Sequence, residues 1–356
     1  MLIYRLKKIL FSFTGTVASF SVAKKKLLDP FVLKRQLPKN IIPSDQKYFE
    51  NEIVKSFGPI NQINVKNAVL VVQEGLVIKS WHILSSSLIS EEMRYWHGIS
   101  YYKNAYARPE NLTHGKYLMV YNHFGVGYGH WLADILPRLF IIKEELTKYK
   151  ILLPENYNTF HLRTLAPFGI TSENLVFLKS EKSYKIPDLT IVDHVGGSCN
   201  TKDEILQALR TYYLNYYLGP ELPVPFRKIY ISRSRQKNRK VVNELEVESL
   251  MLKHGFEIMF PEDFTFEKQV KYFAECKVMI GLTGSGLTNM LFMQESTAVV
   301  EFKMKDDYDN LHYFSMSSGL LLDYYYVLCE VKGKDRFAGD FLVPLNTLQE
   351  VINTFQ

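Results

Sequence analysis

Residues 277–289 read KVMIGLTGSGLTN, an apolar strand that runs through a glycine-rich turn into the start of a helix. Outward from this stretch, strand-like and helix-like segments alternate over residues 227–329. The alternation predicts a parallel sheet with right-handed crossovers, and therefore an α/β fold. Upstream, residues 65–83 alternate apolar and polar side chains around a glycine, which predicts a β-hairpin. The apolar spacing over residues 129–147 predicts a helix.

A proline-rich stretch, GPELPVPF at 219–226, is of the kind that separates domains. The length of 356 residues suits about two domains. We expect an amphipathic segment and irregular lead-in over 1–64, an α/β domain over 65–220, and an α/β domain with a terminal helix over 221–356. Two Rossmann-like domains in tandem predict a cleft, and ligands of open α/β sheets bind where the strands end.

The composition excludes several classes of protein. Apolar residues make up 47% of the chain, which is too many for a disordered protein. The three cysteines, Cys199, Cys276 and Cys329, fit neither a disulfide scaffold nor a cysteine-based zinc site. The net charge of +6 allows a phosphate-bearing partner but does not predict nucleic-acid binding. No apolar run reaches the roughly 18 residues of a transmembrane helix.

Residues 1–20, MLIYRLKKILFSFTGTVASF, place apolar residues at helical spacing opposite Arg5, Lys7 and Lys8. A basic amphipathic helix can lie in the interface of a membrane that contains anionic lipid. A secretory signal and a helix packed on the protein fit the same residues. We take contact with a membrane surface as the leading expectation.

The turn after the strand at 277–282 has glycine at positions 281, 284 and 286. Glycine lets a backbone approach a ligand closely, and the start of a helix offers unpaired N–H groups to an anion. Hydroxyl donors are also present at Thr283, Ser285 and Thr288. The turn therefore predicts a phosphate or diphosphate site, although neither the dinucleotide fingerprint nor a P-loop is present. The alternative is a tight turn that needs glycine only for packing.

A second phosphate candidate is the basic stretch RKIYISRSRQKNRKVVNE at 227–244. Its strand delivers polar residues at the carboxyl end: Ser232, Arg233 and Arg235, with Arg239 just beyond. The arginine guanidinium forms bidentate hydrogen bonds with phosphate oxygens and stays charged at neutral pH. Asn243 is a good N-cap for the next helix, and Glu244 lies in its first turn. The alternative is a solvated basic loop.

In the helix GHWLADILPRL at 129–139, His130, Asp134 and Arg138 form one stripe. A histidine backed by a carboxylate can act as a general base. Alternatively Asp134 takes the proton and His130 binds ligand, or the stripe is an exposed charge ladder. Pro137 should kink the helix. Arg138, Tyr128 and Trp131 are expected to contact the ligand on which this base acts.

Asp307 and Asp309 form the pattern DxD, a spacing that can hold a divalent ion. They precede an expected helix, where acidic residues are ordinary first-turn residues. We therefore expect no metal site and no bound cofactor.

Together these segments resemble glycosyltransferase family 61. The similar stretches are GHWLADILPRL, YISRSRQKNRKVVNE, PEDFTFEKQVKYFAE, and GLTGSGLTNMLFM followed by VVEF. The likeness covers about residues 116–302. The resemblance implies a GT-B fold and inverting transfer of a hexosyl or pentosyl group from a nucleotide sugar, without a metal-binding DxD.

By position, the resemblance implies donor binding by the following residues: Arg233, Arg239, Asn243, Glu244, Gly284, Gly286, Leu287, Thr288 and Asn289. His130 and Asp134 match the family's helix. The family usually has histidine where this chain has Thr283, whose hydroxyl can donate to phosphate but carries no positive charge. Thr283 and Ser285 complete the expected donor turn, and Glu301 is expected to accept from ribose hydroxyls.

The sequence thus predicts a bacterial, cytoplasmic transferase, peripheral on the inner face of the membrane, that builds a cell-surface polysaccharide such as capsule. Its partners are a nucleotide sugar and a glycan or lipid-linked oligosaccharide. The domain over 221–356 is expected to hold the donor, and the domain over 65–220 the acceptor. The alternative is a non-catalytic module that binds a nucleotide or glycan, which Thr283 favours.

Overall fold

The computed structural model describes residues 22–89, 105, 108–157, 160–197, 199–332 and 339–356. The helix expected over residues 1–20 lies outside the described residues. The described chain is a mixed α/β protein with two compact units. Unit 1 falls within Met1–Phe31 and Phe57–Ser198, and unit 2 within Val32–Ser56 and Cys199–Gln356.

Unit 1, as far as it is described, is built on a nine-stranded sheet. The strands up to residue 192 are β1 (Ala23–Leu28), β2 (Phe31–Lys34), β3 (Val54–Phe57), β4 (Ile60–Val71), β5 (Leu76–Lys79), β6 (His82–Ile83), β7 (Glu110–Asn111), β8 (Tyr117–Met119), β9 (Lys150–Pro154), β10 (Leu175–Leu178) and β11 (Ser183–Val192). The sheet order is β10-β9-β8-β11-β4-β5-β6, with β1 beside β4 and β7 beside β11. Strands β2 and β3 pair with each other separately and fall mostly within unit 2.

Parallel and antiparallel strands meet in this sheet at β11. Strands β10, β9, β8 and β11 are parallel, whereas β4, β5 and β6 continue antiparallel. The hairpin expected over 65–83 is formed by β4 and β5, so that prediction is confirmed. Strands β8 and β9 are buried along almost their whole length, as expected of parallel strands covered on both faces.

Pro137 breaks the helix expected over residues 129–147. The structure has short helices at Tyr128–His130 and Leu136–Phe140, a π-helical turn at Trp131–Ile135 between them, and a 3-10 helix at Lys143–Lys148. In the π-helical turn, the N–H of Leu136 donates to the carbonyl of Trp131, five residues back. Because proline lacks an N–H and its ring crowds the preceding turn, this wider turn accommodates Pro137.

Unit 2 contains the parallel sheet that the sequence predicts. Its strands are β12 (Arg227–Ile231), β13 (Glu257–Met259), β14 (Cys276–Leu282), β15 (Ala298–Met304), β16 (Asp323–Lys332) and β17 (Asp340–Leu342). The order is β13-β12-β14-β15-β16-β17, in which β17 alone of these is antiparallel to its neighbour. The expectation of a parallel sheet over 227–329 is therefore confirmed.

The longer helices of unit 2 are α1 (Asp203–Leu218), α2 (Glu244–Lys253), α3 (Phe266–Ala274), α4 (His312–Gly319) and α5 (Leu345–Asn353). The helix expected after the glycine turn is a 3-10 helix, Ser285–Phe292. Val278 and Ile280 of β14 and Phe302 of β15 are at most 1% exposed and share a core with residues of α2 and α5. This core fixes the strand end at which the glycine turn begins.

The structure divides the chain near residue 198, not at the expected boundary near 220. Helix α1 belongs to unit 2 because the ring of Tyr213 packs against Phe266 and Phe292. Arg210 also donates to the carbonyl of Leu320 at 2.8 Å. The proline-rich stretch therefore lies inside unit 2.

Residues 32–56 also belong to unit 2 and not to a separate lead-in. The ring of Phe49 is fully buried and packs against Phe314 and Tyr326. The amide of Asn40 bonds both backbone groups of Tyr326, at 2.8 and 3.2 Å, as a neighbouring strand would. These contacts join two parts of the chain that are far apart in sequence.

The turn between β4 and β5 gives a test of the hairpin. Gly75 has a φ of 64°, and a Cβ there would lie 3.0 Å from the Cα of Asn122. We expect Gly75→Ala to lower the free energy of unfolding by about 2 kcal/mol or more, because left-handed backbone costs an L-residue about 1–2 kcal/mol before any clash. Urea denaturation measures this change. Gly58→Ala is the control, since a Cβ added at Gly58 would meet no described atom beyond its chain neighbours within 4 Å. Equal losses of unfolding free energy in both variants would contradict the prediction.

Candidate functional site

Two loops leave the carboxyl edge of the unit 2 sheet side by side. Strands β12 and β14 are parallel neighbours, with Ile231 paired to Gly281. The basic loop at 232–240 follows β12, and the glycine turn at 283–286 follows β14. Both phosphate candidates therefore begin at the edge where ligands of open α/β sheets bind.

Arg233 and Arg239 connect the basic loop to the glycine turn. Nε of Arg233 donates to the carbonyl of Arg239 at 2.8 Å, and Nη2 of Arg239 donates to the carbonyl of Thr283 at 2.6 Å. Gly284 leaves room for this arrangement, because a Cβ there would lie 3.0 Å from Nη1 of Arg233. The structure thus brings together both arginines and the turn.

No carboxylate among the described residues forms an ion pair with these two guanidinium groups, although Glu262 and Glu244 offset part of the charge of Arg233 from a greater distance. Arg235, by contrast, pairs with Asp263 at 2.6 Å. Burial, and then the charge of Arg239, lowers the pKa of Arg233. Two cations this close repel each other, and a bound anion would relieve the repulsion. Charge and geometry favour a phosphate or diphosphate ligand.

Glu244 supports the basic loop from inside the protein. Its side chain is 7% exposed, and Oε1 accepts from Ser232 Oγ at 2.6 Å and from Tyr230 OH and the Arg233 N–H at 3.1 Å. Burial raises the pKa of Glu244, and these hydrogen bonds offset the rise only in part. A role in positioning Arg233 therefore replaces the expected contact between Glu244 and a donor.

Asn243 precedes α2 as expected, but its side chain does not cap the helix. Nδ2 donates to the carbonyl of Val343 at 2.9 Å, and Oδ1 accepts from the N–H of Val343 at 3.1 Å. The expected side-chain N-cap is therefore wrong. Asn243 instead ties the start of α2 to the chain just before α5.

The other expected donor residues differ in exposure. Ser285 is exposed and Gly286 is half-buried, whereas Leu287, Thr288 and Asn289 are at most 1% exposed. Nδ2 of Asn289 donates to the carbonyl of Gly286 at 3.1 Å and so holds the turn. A ligand at this turn would meet Ser285 and the backbone, while the buried side chains maintain its shape.

A buried charged pair on β15 adjoins Thr283. Glu301 and Lys303 are each 1% exposed. Oε2 of Glu301 accepts from Tyr324 OH at 2.6 Å, and Lys303 Nζ donates to the carbonyl of Asn310 at 2.6 Å. Burial raises the pKa of Glu301, and Lys303 lowers it in part. At this exposure Glu301 does not reach a ribose, which corrects its expected role.

In unit 1, His130 and Asp134 form the pair that their spacing predicts. Nδ1 of His130 lies 2.7 Å from Oδ2 of Asp134. The aspartate side chain is 1% exposed and the histidine side chain 32%. The ring of Phe124 stacks on the imidazole with centroids 5.0 Å apart. When Nδ1–H donates to Asp134, Nε2 carries the lone pair that a general base needs.

Arg138 does not lie beside His130 on the stripe that helical spacing predicts. It is 0% exposed, and Nε donates to the carbonyl of Val192 at 2.9 Å while Nη1 donates to that of Val120. Val120 follows β8 and Val192 ends β11, so the guanidinium ties together the ends of two parallel strands. The buried Arg138 is therefore not available for the expected contact with an acceptor. The π-helical turn changes the position around the helix axis of the residues that follow it, so Arg138 points inward.

Trp131 is also an interior residue. It is 0% exposed, and Nε1 donates to Oγ1 of Thr164 at 2.7 Å. The ring is therefore not available for the expected direct contact with an acceptor. Tyr128 is half-buried with its ring edge-on to Phe160, and burial raises its pKa. Tyr128 is thus the one of the three expected acceptor residues that combines an aromatic ring with surface access.

The DxD aspartates serve a turn. Asp307 is 2% exposed, and Oδ1 accepts from the backbone N–H groups of Asp309 and Asn310 at 3.2 Å. Over the part of the chain that the structure describes, no group of three histidine, cysteine or acidic residues is arranged to hold a metal ion.

Phe124 and Lys303 are the site residues that sequence reasoning missed. The contact of Phe124 with His130 depends on the fold of a glycine-rich loop, so spacing gives no signal for it. Lys303 had a signal: Glu301 and Lys303 alternate within the otherwise apolar strand AVVEFKM, which places two charges on one face.

Residues 128–300 match the family model described as Glycosyltransferase 61. The matched span contains the His130–Asp134 pair, both arginines and the glycine turn. No curated protein sequence matches the chain. The family match supports a glycosyltransferase, which takes a nucleotide-sugar donor and a glycan acceptor. Each helix in the described ranges is too short or too polar to cross a bilayer.

Glu244 gives a pH-dependent test of the basic loop. Because burial raises its pKa above the ordinary 4.5, the folded state binds a proton more readily, and the charged carboxylate destabilises the fold at neutral pH. We expect Glu244→Gln to be at least as stable as the unmodified chain at pH 7, with the difference shrinking toward about pH 5.

Urea denaturation at the two pH values measures the effect of Glu244→Gln. Glu246→Gln, at an exposed position in the first turn of α2, is the control and should leave stability nearly unchanged at both pH values. A Glu244→Gln variant that is clearly less stable at pH 7 would contradict the assignment of a destabilising charge.

Proposed function

We propose that this chain is an inverting glycosyltransferase that moves a sugar from a nucleotide-diphosphate donor to a hydroxyl of a glycan. Unit 2 binds the donor, and the His130–Asp134 pair of unit 1 activates the acceptor. The product is a bacterial cell-surface polysaccharide made at the inner face of the membrane. A GT-B organisation with two Rossmann-like domains is part of the same proposal.

The observation that carries the proposal is the pair of guanidinium groups held against a glycine turn, inside a span that matches a glycosyltransferase family model. Negative charge develops on the diphosphate as it leaves the sugar. Fixed donors aimed at such charge stabilise a transition state without reorganisation. Arg233 and Arg239 supply this positive charge themselves, so the proposed reaction has no metal requirement.

His130 is the proposed base, and Asp134 holds it in the reactive tautomer. The acceptor oxygen bonds to the anomeric carbon as the bond from that carbon to the diphosphate oxygen breaks on the opposite face. The acceptor proton passes to Nε2 of His130. Attack from the opposite face inverts the configuration of the anomeric carbon.

The acceptor is proposed to be a glycan or a lipid-linked oligosaccharide. Phe124, stacked on His130, and the half-buried Tyr128 place two aromatic rings shortly before the base in sequence. The face of an aromatic ring suits the C–H groups that a sugar ring presents. Contact of residues 1–20 with anionic lipid would bring the enzyme to such an acceptor.

Arginine variants test the donor site. We expect Arg233→Ala and Arg239→Ala to weaken binding of UDP or GDP about 10- to 100-fold, since a hydrogen bond to a charged group is worth about 1.5–3 kcal/mol. Isothermal titration calorimetry of the full chain with each nucleotide measures the change. Added salt should weaken binding to the unmodified chain as well.

Arg235→Ala is the matched control for these variants. Its guanidinium lies on the same loop but is neutralised by Asp263 and stacks 3.7 Å from the ring centre of Phe260. It should bind the nucleotide with nearly unchanged affinity. Equal losses in Arg233→Ala and Arg235→Ala would show that only general positive charge matters.

The base is tested by a split between turnover and binding. His130→Ala and Asp134→Asn are expected to lower kcat about 100- to 10,000-fold, the usual worth of a general base. Nucleotide affinity should stay unchanged, because neither residue belongs to unit 2. Release of nucleoside diphosphate from a sugar donor measures turnover.

His114→Ala, at an exposed position of unit 1, is the control and should leave kcat unchanged. Undiminished kcat in His130→Ala would remove the proposed base. Nucleotide binding by the unmodified chain without turnover on any acceptor would favour a non-catalytic module.

A further inference from the structure

A two-residue turn in unit 1 carries an exposed tryptophan. Lys79 of β5 pairs with His82 of β6, so Ser80 and Trp81 form the whole loop. Their φ angles are 48° and 68°, as in a type I′ turn, where asparagine and glycine are strongly favoured. Trp81 is 61% exposed. A large aromatic residue in this backbone conformation opposes folding, and strain of this kind collects where a protein binds something.

Trp81 lines a groove of about 440 Å³ on the unit 1 sheet. The volume falls within the range of about 300–1,000 Å³ that is usual for ligand sites. Val69 and Ile78 give it an apolar floor, and they are 6% and 0% exposed. The amide side chains of Asn67 and Asn111 line it as well.

The pairing of two strands of the sheet is interrupted at the groove. The pairing of β4 with β11 skips Asn67 and Pro187, and proline has no N–H to give to a ladder. Asn67 has a φ of 53°, so three non-glycine residues with left-handed backbone (Asn67, Ser80 and Trp81) line one groove. Local strain is therefore concentrated where these side chains meet.

The lining indicates one class of ligand. The face of an indole ring attracts the C–H groups of a sugar ring, and amides bond to sugar hydroxyls in both directions. Lys79 and Lys185 add positive charge, and none of the described residues that line the groove is acidic. We propose that this groove binds an acidic oligosaccharide, stacked on Trp81, hydrogen bonded by Asn67 and Asn111, and paired with Lys185 through a carboxylate.

A protein partner fits the groove less well. A specific protein interface buries at least about 1,000 Å² and is poor in lysine at its centre. Here two lysines and two amides flank a small apolar floor. The inference goes beyond the proposed transfer reaction, because it assigns a second place at which the protein holds a glycan.

Trp81→Gly separates binding from folding. Glycine is favoured at a φ of 68°, so the variant should keep or raise Tm. Its affinity for an acidic hexasaccharide should fall at least about tenfold, equivalent to about 1.4 kcal/mol. Calorimetry of the full chain uses hexagalacturonate, hexamannuronate and neutral maltohexaose, and thermal unfolding gives Tm. The unmodified chain should bind an acidic hexasaccharide more tightly than maltohexaose.

Two further variants sharpen the test. Phe226→Ala is the control for loss of an exposed aromatic ring, since Phe226 is also 61% exposed but lies in unit 2. It should leave hexasaccharide affinity unchanged. Lys185→Ala should weaken binding of the acidic hexasaccharides and reduce its dependence on salt.

Several results would overturn the inference. The first is no binding of either acidic hexasaccharide to the unmodified chain at up to about 10 mM. The second is unchanged hexasaccharide affinity in Trp81→Gly. The third is a lower Tm of Trp81→Gly, which would show that the ring is needed for the fold. Dissociation of a dimer by Trp81→Gly would identify the groove as a protein interface instead. UDP or GDP affinity of Trp81→Gly should equal that of the unmodified chain, so failure here leaves the donor-site proposal standing.

Discussion

Repulsion between two neighbouring guanidinium groups is the constraint on which the edge of unit 2 depends. Backbone carbonyls hold Arg233 and Arg239 in place, and carbonyls do not cancel a full positive charge. The missing Cβ of Gly284 makes room for Arg233, and a buried carboxylate at Glu244 fixes the backbone of that arginine. Arg239 also adopts a φ of 56°. The repulsion between the two arginines and the left-handed backbone of Arg239 oppose stability, and a bound anion would relieve the repulsion.

Unit 1 uses a buried cation in a different way. Arg138 is surrounded by carbonyl acceptors at the ends of two parallel strands, where backbone groups lack partners within the sheet. Burial lowers the pKa of Arg138 to about 9. The same helical region keeps Asp134 inside and leaves part of His130 exposed. One broken helix thus supplies both a structural anchor and a reactive pair.

The sequence was informative where the signal is local. Strand and helix alternation, the glycine turn and the pairing of His130 with Asp134 follow from spacing alone, and the structure has them. It failed where a distant partner decides: Asn243 bonds Val343, 100 residues away, instead of capping α2. Arg138 shows a second limit, because one wide turn beside Pro137 removes it from the predicted stripe. The boundary near 220 failed because the packing of α1, and not the proline-rich stretch, sets it.

Unit 2 is formed by two separate segments of the chain, residues 32–56 and 199–356, and this affects how it folds. Asn40 and Tyr326 are separated by 286 positions, so this contact closes a very long loop and raises the contact order of the unit. On the ribosome, residues 32–56 emerge well before the strands that they cover. Until Phe314 and Tyr326 have been synthesised, the ring of Phe49 lacks both of these packing partners, so unit 2 exposes apolar surface on the nascent chain.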